Sequence, residues 1–417
     1  MKLTPVLSLV ALLACSENPP ANVAPALATL HERAAKLEPE LIGLRRTIHQ
    51  NPELPGHEAQ TAELIAERLT ALGLEVRTGV GGHGVVGVLR GEKPGPIIAY
   101  RSELDAVPGN EPPGRPYGSK VPGAFHACGH DLHMAIAVGV ASVLSTAREH
   151  LSGGVVFLFQ PAEETWEGAD AMLADGALDD PNPEAIYALH SFPFQVGAMA
   201  RDAAFAGLDR FTVELVGEAA DEESAARVEE RLADLGNVKP PRSPEQVAEY
   251  LGQLQAADGP LAQAVYVDIE RDADEAPSRI EGVIKAYADS EYPRLRDEVR
   301  AILEGEVGSG GFELSYPADP LPSMISDSAV TGEAAAAVAE TIGERNVISL
   351  KAQHAFSGED FARFLQRVPG TMLLLGVANE ERGILGAPHF PDFDADEAAI
   401  RVGTQAMTGV LWRRLAR

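Results

Sequence analysis

Apolar and polar positions change their periodicity several times along the chain. From Leu27 to Gln50 the stretch LATLHERAAKLEPELIGLRRTIHQ repeats at helical spacing, and AQTAELIAERLTALG does the same up to Gly73. Short β-type runs follow: LEVRT, GVVGVLR and PIIAYRS, the last ending near Arg101. DLHMAIAVGVASVLSTARE reads as a helix of small residues, with Asp131 placed to cap it. VVFLFQ and TMLLLG are continuous apolar runs of buried-strand type, GADAMLADG is helical, and EAIYALHSF is a strand. Apolar strands alternating with helices predict an α/β fold, a mostly parallel sheet sandwiched by helices.

The middle of the chain has another rhythm. FTVELVGE, helices in ESAARVEERLADLG and SPEQVAEYLGQLQ, then AQAVYVDIERD, SRIEGVIKAYA, a helix in EYPRLRDEVRAILEG and GFELSYPA predict a smaller α+β insert of the split-βαβ kind. The mixed pattern resumes from Asp327. The expected organisation is a signal peptide over 1–14, a tether over 15–26, a catalytic domain in two pieces (27–204 and 319–417), and a satellite domain over 205–318 between them.

Composition bounds the partners. Across 417 residues, apolar types make up 45% and charged types 23%, ordinary for a globular protein. With 62 acidic against 34 basic residues the formal charge is -28, which argues against nucleic acid and anionic membrane surfaces as partners. The first residues, MKLTPVLSLVALLAC, hold an apolar run too short to span a bilayer, closing on small residues before Cys15 and the Pro-rich SENPPANVAP. This segment resembles a bacterial lipoprotein signal, which implies lipidation of Cys15, a membrane contact only through that lipid, and a mature protein in the periplasm or at the cell surface. Cys128, the second of two cysteines, then has no intrachain partner.

Several donors to metal lie at predicted strand ends, the place where α/β sheets collect ligands. Ser102, Glu103 and Asp105 follow PIIAYR; Glu163 and Glu164 follow VVFLFQPA; His190 follows AIYAL. Cys128 and His130 lie in FHACGHDLH, a stretch open to three readings: a metal site, a catalytic thiol, or a crowded helix start. A hydrolytic metal centre uses thiolate, imidazole and carboxylate ligands with a position open to water. Adjacent glutamates whose side chains point apart can divide the work, one ligating and one acting as general base.

HACGHDLH, FQPAEETWEGADAML, LHSFP, SGEDFARFLQRVPGTMLLLG and PHFPDFD together resemble the metal-dependent N-acyl-amino-acid amidohydrolases and metallopeptidases, a group holding hippurate hydrolases, aminoacylases and auxin-conjugate hydrolases. The resemblance covers Leu37 to the C-terminus except much of the satellite. It implies a zinc-exopeptidase-like catalytic domain with a ferredoxin-like satellite, and two divalent ions (zinc, manganese, nickel or cobalt). Cys128, His130, Glu164, His190 and His389 are the implied ligands, with Cys128 bridging. Glu163 is the implied general base, working with metal-activated water on the amide bond of small N-acyl amino acids. Asp105 and Asp131 are implied to orient ligands, Glu359 to line the site, and His126 and His133 to support it. A homodimer through the satellite is the implied assembly.

The chain departs from that pattern in the satellite. The strand there usually leads into a Gly-rich turn with a histidine that steadies the oxyanion, yet no histidine occurs between His190 and His354. The family's Asn-containing turn reads EAPSR, and Lys285 stands where arginine is usual. Losing one oxyanion donor costs about 100- to 1000-fold in turnover, so an active hydrolase of altered specificity is expected. The alternatives are a dipeptidase or exopeptidase on the same scaffold, and a metal-containing binding lipoprotein that has lost catalysis. A cysteine hydrolase built on Cys128 leaves Glu164, His190 and His389 unexplained.

Overall fold

A computed structural model describes residues 26–271 and 278–416. The leader, Cys15 and most of the tether lie outside the described residues, as does part of the EAPSR turn. Among the described residues no helix is long and apolar enough to cross a membrane.

Strands with few polar positions need cover on both faces, and the large sheet has it. Its order is Glu75–Val80, Gly84–Arg90, Ser152–Gln160, Lys93–Glu103, Ala185–Gln195, Gly370–Ala378, Met199–Arg201 and Val347–Ser349. The four strands from Ser152–Gln160 to Gly370–Ala378 run parallel. The Glu75–Val80 and Gly84–Arg90 hairpin joins antiparallel, and Met199–Arg201 runs antiparallel to Gly370–Ala378. The sheet is therefore mixed, with its parallel part at the centre.

On one face, helices Leu27–Gln50, His130–Ser145 and Ala398–Leu415 pack on one another and on the sheet. Helix His130–Ser145 is apolar on almost every side, as a fully enclosed helix must be. Glycine lets its neighbours approach: a Cβ on Gly139 would meet the Leu41 side chain at 2.6 Å, and one on Gly403 would meet Ile136 at 2.7 Å. The helix begins at His130 after Gly129, and no side chain caps it. Asp131 is not the expected cap, because the buried Arg45 guanidinium and His49 claim its carboxylate.

The smaller sheet is wholly antiparallel, in the order Val265–Glu270, Arg279–Ala286, Gly207–Leu215 and Phe312–Ser315. That is the order of a split βαβ unit. Helices Glu222–Ala233 and Tyr292–Val307 cover it, closing a core around Phe211, Val213, Val228, Ile284 and Val299. The remaining helix of this region, Pro244–Leu254, does not join that core. Its Tyr250 and Leu254 belong to the apolar cluster of the large sheet's second face, with Phe192, Phe205 and Phe364.

Candidate metal centre

Three loops, one strand and the first residue of a helix bring the donors together. Cys128 precedes helix His130–Ser145 in a loop turned by Gly129 at φ +91°, where a Cβ would strike Ser191 Oγ at 2.6 Å. Ser191 Oγ donates to the Cys128 carbonyl at 2.9 Å, fixing that loop to strand Ala185–Gln195. The strand continues to Gln195, so His190 lies within it and not at its end. Glu163 and Glu164 follow strand Ser152–Gln160 in a turn with Ala162 at φ +50°. His389, itself at φ +64°, arrives on the loop before the last helix.

Hydrogen bonds at the imidazoles decide which nitrogens are free. His130 Nδ1–H donates to the Asp105 carbonyl at 2.8 Å, and its buried Nε2 has no hydrogen-bond partner. His190 Nδ1–H donates to the Ser191 carbonyl at 2.8 Å, leaving Nε2 directed at Cys128 Sγ, 3.4 Å away. Both rings thus turn Nε2 to the same space, the arrangement a metal-ligating histidine needs. His133 is different: its Nε2 accepts from the Ser191 amide at 2.8 Å, and its Nδ1 pairs with Glu103 at 2.9 Å. His133 supports the site without a free lone pair. His126 is buried with neither nitrogen hydrogen-bonded.

Donor atoms fall into overlapping groups, each spanning no more than 4.8 Å: Cys128, His130 and His190; Cys128, Glu164 and His389; His130, Glu163 and Glu164; Glu163, Glu359 and Asp360. The two glutamates do not point apart as expected, since both approach His130 Nε2, at 3.7 and 3.8 Å. Their further neighbours separate them. Glu164 shares its space with Cys128 and His389, whereas Glu163 faces Glu359 and Asp360. Asp105 accepts from the Glu164 amide at 2.9 Å and lies 3.5 Å from His130 Nδ1. Asp131 stands apart, bonded to His49 at 2.8 Å and Arg45 at 3.0 Å, with no hydrogen bond to any of the five expected ligands.

The electrostatics call for a cation. Burial, then Glu164 and Glu163, pushes the Cys128 thiol well above its ordinary value. Burial, then Glu359 and Glu164, does the same to the Glu163 carboxyl. Burial would lower His130, but Asp105, Glu103 and Glu164 outweigh it and raise the ring to about 10. A divalent ion would offset this crowding by favouring thiolate and carboxylate and by taking the place of a proton at His130 Nε2. Glu164 Oε1 and Asp105 Oδ1 are also buried without partners, so the donor set fits metal in both chemistry and spare capacity.

One functional residue escaped the sequence reading. Arg101 is fully buried and donates to Gln160 at 2.9 Å, Glu359 at 3.0 Å and Asp360 at 3.2 Å, besides pairing with Glu103. It neutralises the acidic wall behind Glu163. The signal available was an arginine inside an apolar strand, together with the Glu-Asp pair of SGEDF.

Beside the donors opens a cavity of about 610 Å³, whose lining includes Cys128, Glu163, Glu164, His190, Glu359 and His389. Lys285 enters it from the smaller sheet, its Nζ donating to the Phe356 carbonyl at 2.6 Å.

Buried imidazole, thiol and carboxylate donors around one acidic residue, at the rim of an α/β sheet, define a metal-dependent hydrolase of amide bonds. The chain belongs to peptidase family M20/M25/M40, whose model matches residues 99–413. It is 32% identical over 378 residues to the N-acetyl-L-cysteine deacetylase of Bacillus subtilis, covering 87% of this chain and 85% of that one. It is 30% identical to thermostable carboxypeptidase 1 of Saccharolobus solfataricus, over 89% of this chain and 94% of that one. Among solved structures it resembles the Bacillus subtilis YxeP protein, a dinuclear metal-binding peptidase of family M20, with a TM-score of 0.67 and 27% identity over 90% of this chain and 98% of that one.

Proposed function

We propose that the protein hydrolyses the amide bond of N-acyl amino acids, with Glu163 as the general base and two divalent ions held by Cys128, His130, Glu164, His190 and His389. The observation that carries this reading is the position of Glu163. It touches the ligand cluster at His130, yet its other neighbours are Glu359 and Asp360, which none of the five ligands requires. An acid so placed serves proton transfer better than ligation.

When bound, the ions supply Lewis-acid polarisation of the acyl oxygen and a lowered water pKa. The chain's own residues do the rest. Glu163 takes a proton from the attacking water at a carboxylate oxygen and returns it to the departing amine nitrogen. Burial and the neighbouring carboxylates raise its proton affinity, which suits a group that must hold the proton between those two events. Lys285, with N–H groups beyond the one given to Phe356, receives the substrate carboxylate as a point charge. The products are a carboxylic acid and an amino acid.

Likeness to a carboxypeptidase favours a second reading, removal of a terminal residue from a dipeptide or short peptide. Turnover of a panel of N-acyl amino acids and dipeptides by the metal-loaded protein separates the two. No turnover of any N-acyl amino acid would refute the first. We also propose export with lipidation at Cys15, resting on the leader motif, and a homodimer through the smaller domain, resting on the family resemblance. Fatty-acid labelling of wild type against Cys15→Ser, and sedimentation of the mature chain, test these.

A further inference from the structure

We propose that helix Pro244–Leu254, although its sequence belongs to the smaller domain, is a fixed wall of the active-site cavity. Through Val247 and Tyr250 it selects substrates by the size of an apolar group lodged against Phe192, Phe205 and Phe356. This deepens the amide-hydrolase reading above and rests on it.

The helix is a built element. Ser243 Oγ caps it by accepting from the Gln246 amide, and Pro244 occupies its first turn. Its carbonyl end is stitched to the large domain, because the Lys351 and Ala352 amides both donate to the Leu254 carbonyl, at 2.8 and 3.1 Å. Its middle is anchored by Tyr250. The hydroxyl lies 2.5 Å from His354 Nδ1 and accepts from the Ala355 amide at 3.3 Å. Burial holds His354 near a pKa of about 3, so its ring is neutral and accepts the tyrosine proton at Nδ1. His354 Nε2–H then donates to Ser357 Oγ at 3.1 Å. Every polar atom of the anchor is engaged, and the ring of Tyr250 packs on Phe356 at 5.1 Å between centroids.

This wall faces the same cavity as the donors, where the Phe205 ring lies 6.5 Å from the His190 ring. Val247, Tyr250, Phe192, Phe205 and Phe356 all line the space that also holds Glu163 and His190. A rigid surface of aromatic and aliphatic carbon gains from a bulky apolar group by area removed from water, and gains little from a methyl group. Because the wall is pinned at its middle and at its end, it discriminates by shape without having to close. The ligand is an N-acyl amino acid with a large apolar group in the acyl part or in the amino-acid side chain, held with its amide toward Glu163.

Binding to the metal-loaded Glu163→Gln protein tests this without turnover. Calorimetric titration compares N-benzoyl with N-acetyl alanine, and N-acetyl phenylalanine with N-acetyl alanine. The expected result is at least a tenfold preference for the bulkier ligand in one series. In the same background Val247→Phe should cut that preference to below threefold while N-acetyl alanine binds within threefold. Val247→Ala should raise affinity for the bulky ligand at least threefold, so the test stands if the filled variant fails to fold. Equal affinity across both series, no binding of any ligand, or equal weakening of small and bulky ligands by both variants would overturn the proposal. Hydrolysis by the unaltered enzyme is measured separately. Size-selective binding without N-acyl hydrolysis removes the amide-hydrolase reading and leaves the wall, whereas hydrolysis without size selection removes only the wall.

Discussion

His389 donates its backbone N–H to the carbonyl of Ala127 at 2.8 Å, joining the loop before the last helix to the residue before Cys128. The two loops are thus held by main chain, and the His389 imidazole, 3.6 Å from Glu164, is free to serve as a donor. His389→Ala keeps the backbone bond and removes the ring alone. We expect it to lower bound metal after dialysis by about one ion per chain with the unfolding temperature little changed. Full metal content by elemental analysis would remove His389 from the ligand set.

Glu163→Gln keeps the shape of the side chain and removes its proton affinity. The expected loss in kcat is about 100- to 10,000-fold, the usual range for a general acid–base group, with metal content unaltered. Turnover within threefold of wild type would exclude Glu163 as the base.

Among the described residues, Arg101 is the one guanidinium that pairs with Glu103, Glu359 and Asp360. Arg101→Met removes the guanidinium from three buried carboxyls, of which, among the described residues, only Glu103 keeps another basic partner, His133. Breaking a buried ion pair from one side costs about 3–5 kcal/mol, so the variant should unfold at markedly lower denaturant. Unchanged urea unfolding would show that these acids are protonated in the native state and do not depend on the arginine.

Lys285 gives the site a pH dependence of defined sign. Burial is the chief cause that lowers its ammonium from the ordinary lysine value to about 8. The group is charged below that value and neutral above it, so attraction for a substrate carboxylate is present below about 8 and fades as pH rises. KM for a carboxylate-bearing substrate should climb through this window. Lys285→Met should raise KM about 10- to 100-fold at neutral pH, the worth of one charged hydrogen bond, and flatten the climb. A KM that is independent of pH in wild type would remove this role.

Chelation offers a test of the whole centre. Apo protein should lose hydrolysis and regain it on adding a divalent ion, whereas a cysteine nucleophile would need none. Activity that survives complete metal removal would refute the metal reading.

The sequence was most readable where one short motif carries both geometry and chemistry. Leu27–Gln50 is a helix at the limits its periodicity implied, and the split-βαβ sheet follows from the strand and helix order. The five expected ligands converge from different settings: Cys128 and His130 at a helix start, Glu164 in the turn after a strand, His190 within a strand and His389 on a loop. Asp131 misled, since a helix-start aspartate looks like a cap until Arg45, buried a helix away, claims it. Arg101 was invisible because a strand pattern shows that a position is enclosed and not which acids enclose it. Helix Pro244–Leu254 failed for the same reason: its period fixes an apolar face, but only the tertiary fold says which domain receives that face.

The placement of that helix has a mechanical consequence. A hinge that rotated the smaller domain away together with this helix would tear Tyr250 from His354 and free the amides of Lys351 and Ala352. Substrate exchange by a clamshell opening that moved this helix would have to break those contacts. The same placement also means that exchanging the smaller domain between relatives would transplant part of the catalytic chamber, so a swapped hybrid should inherit the donor's substrate range along with its lobe.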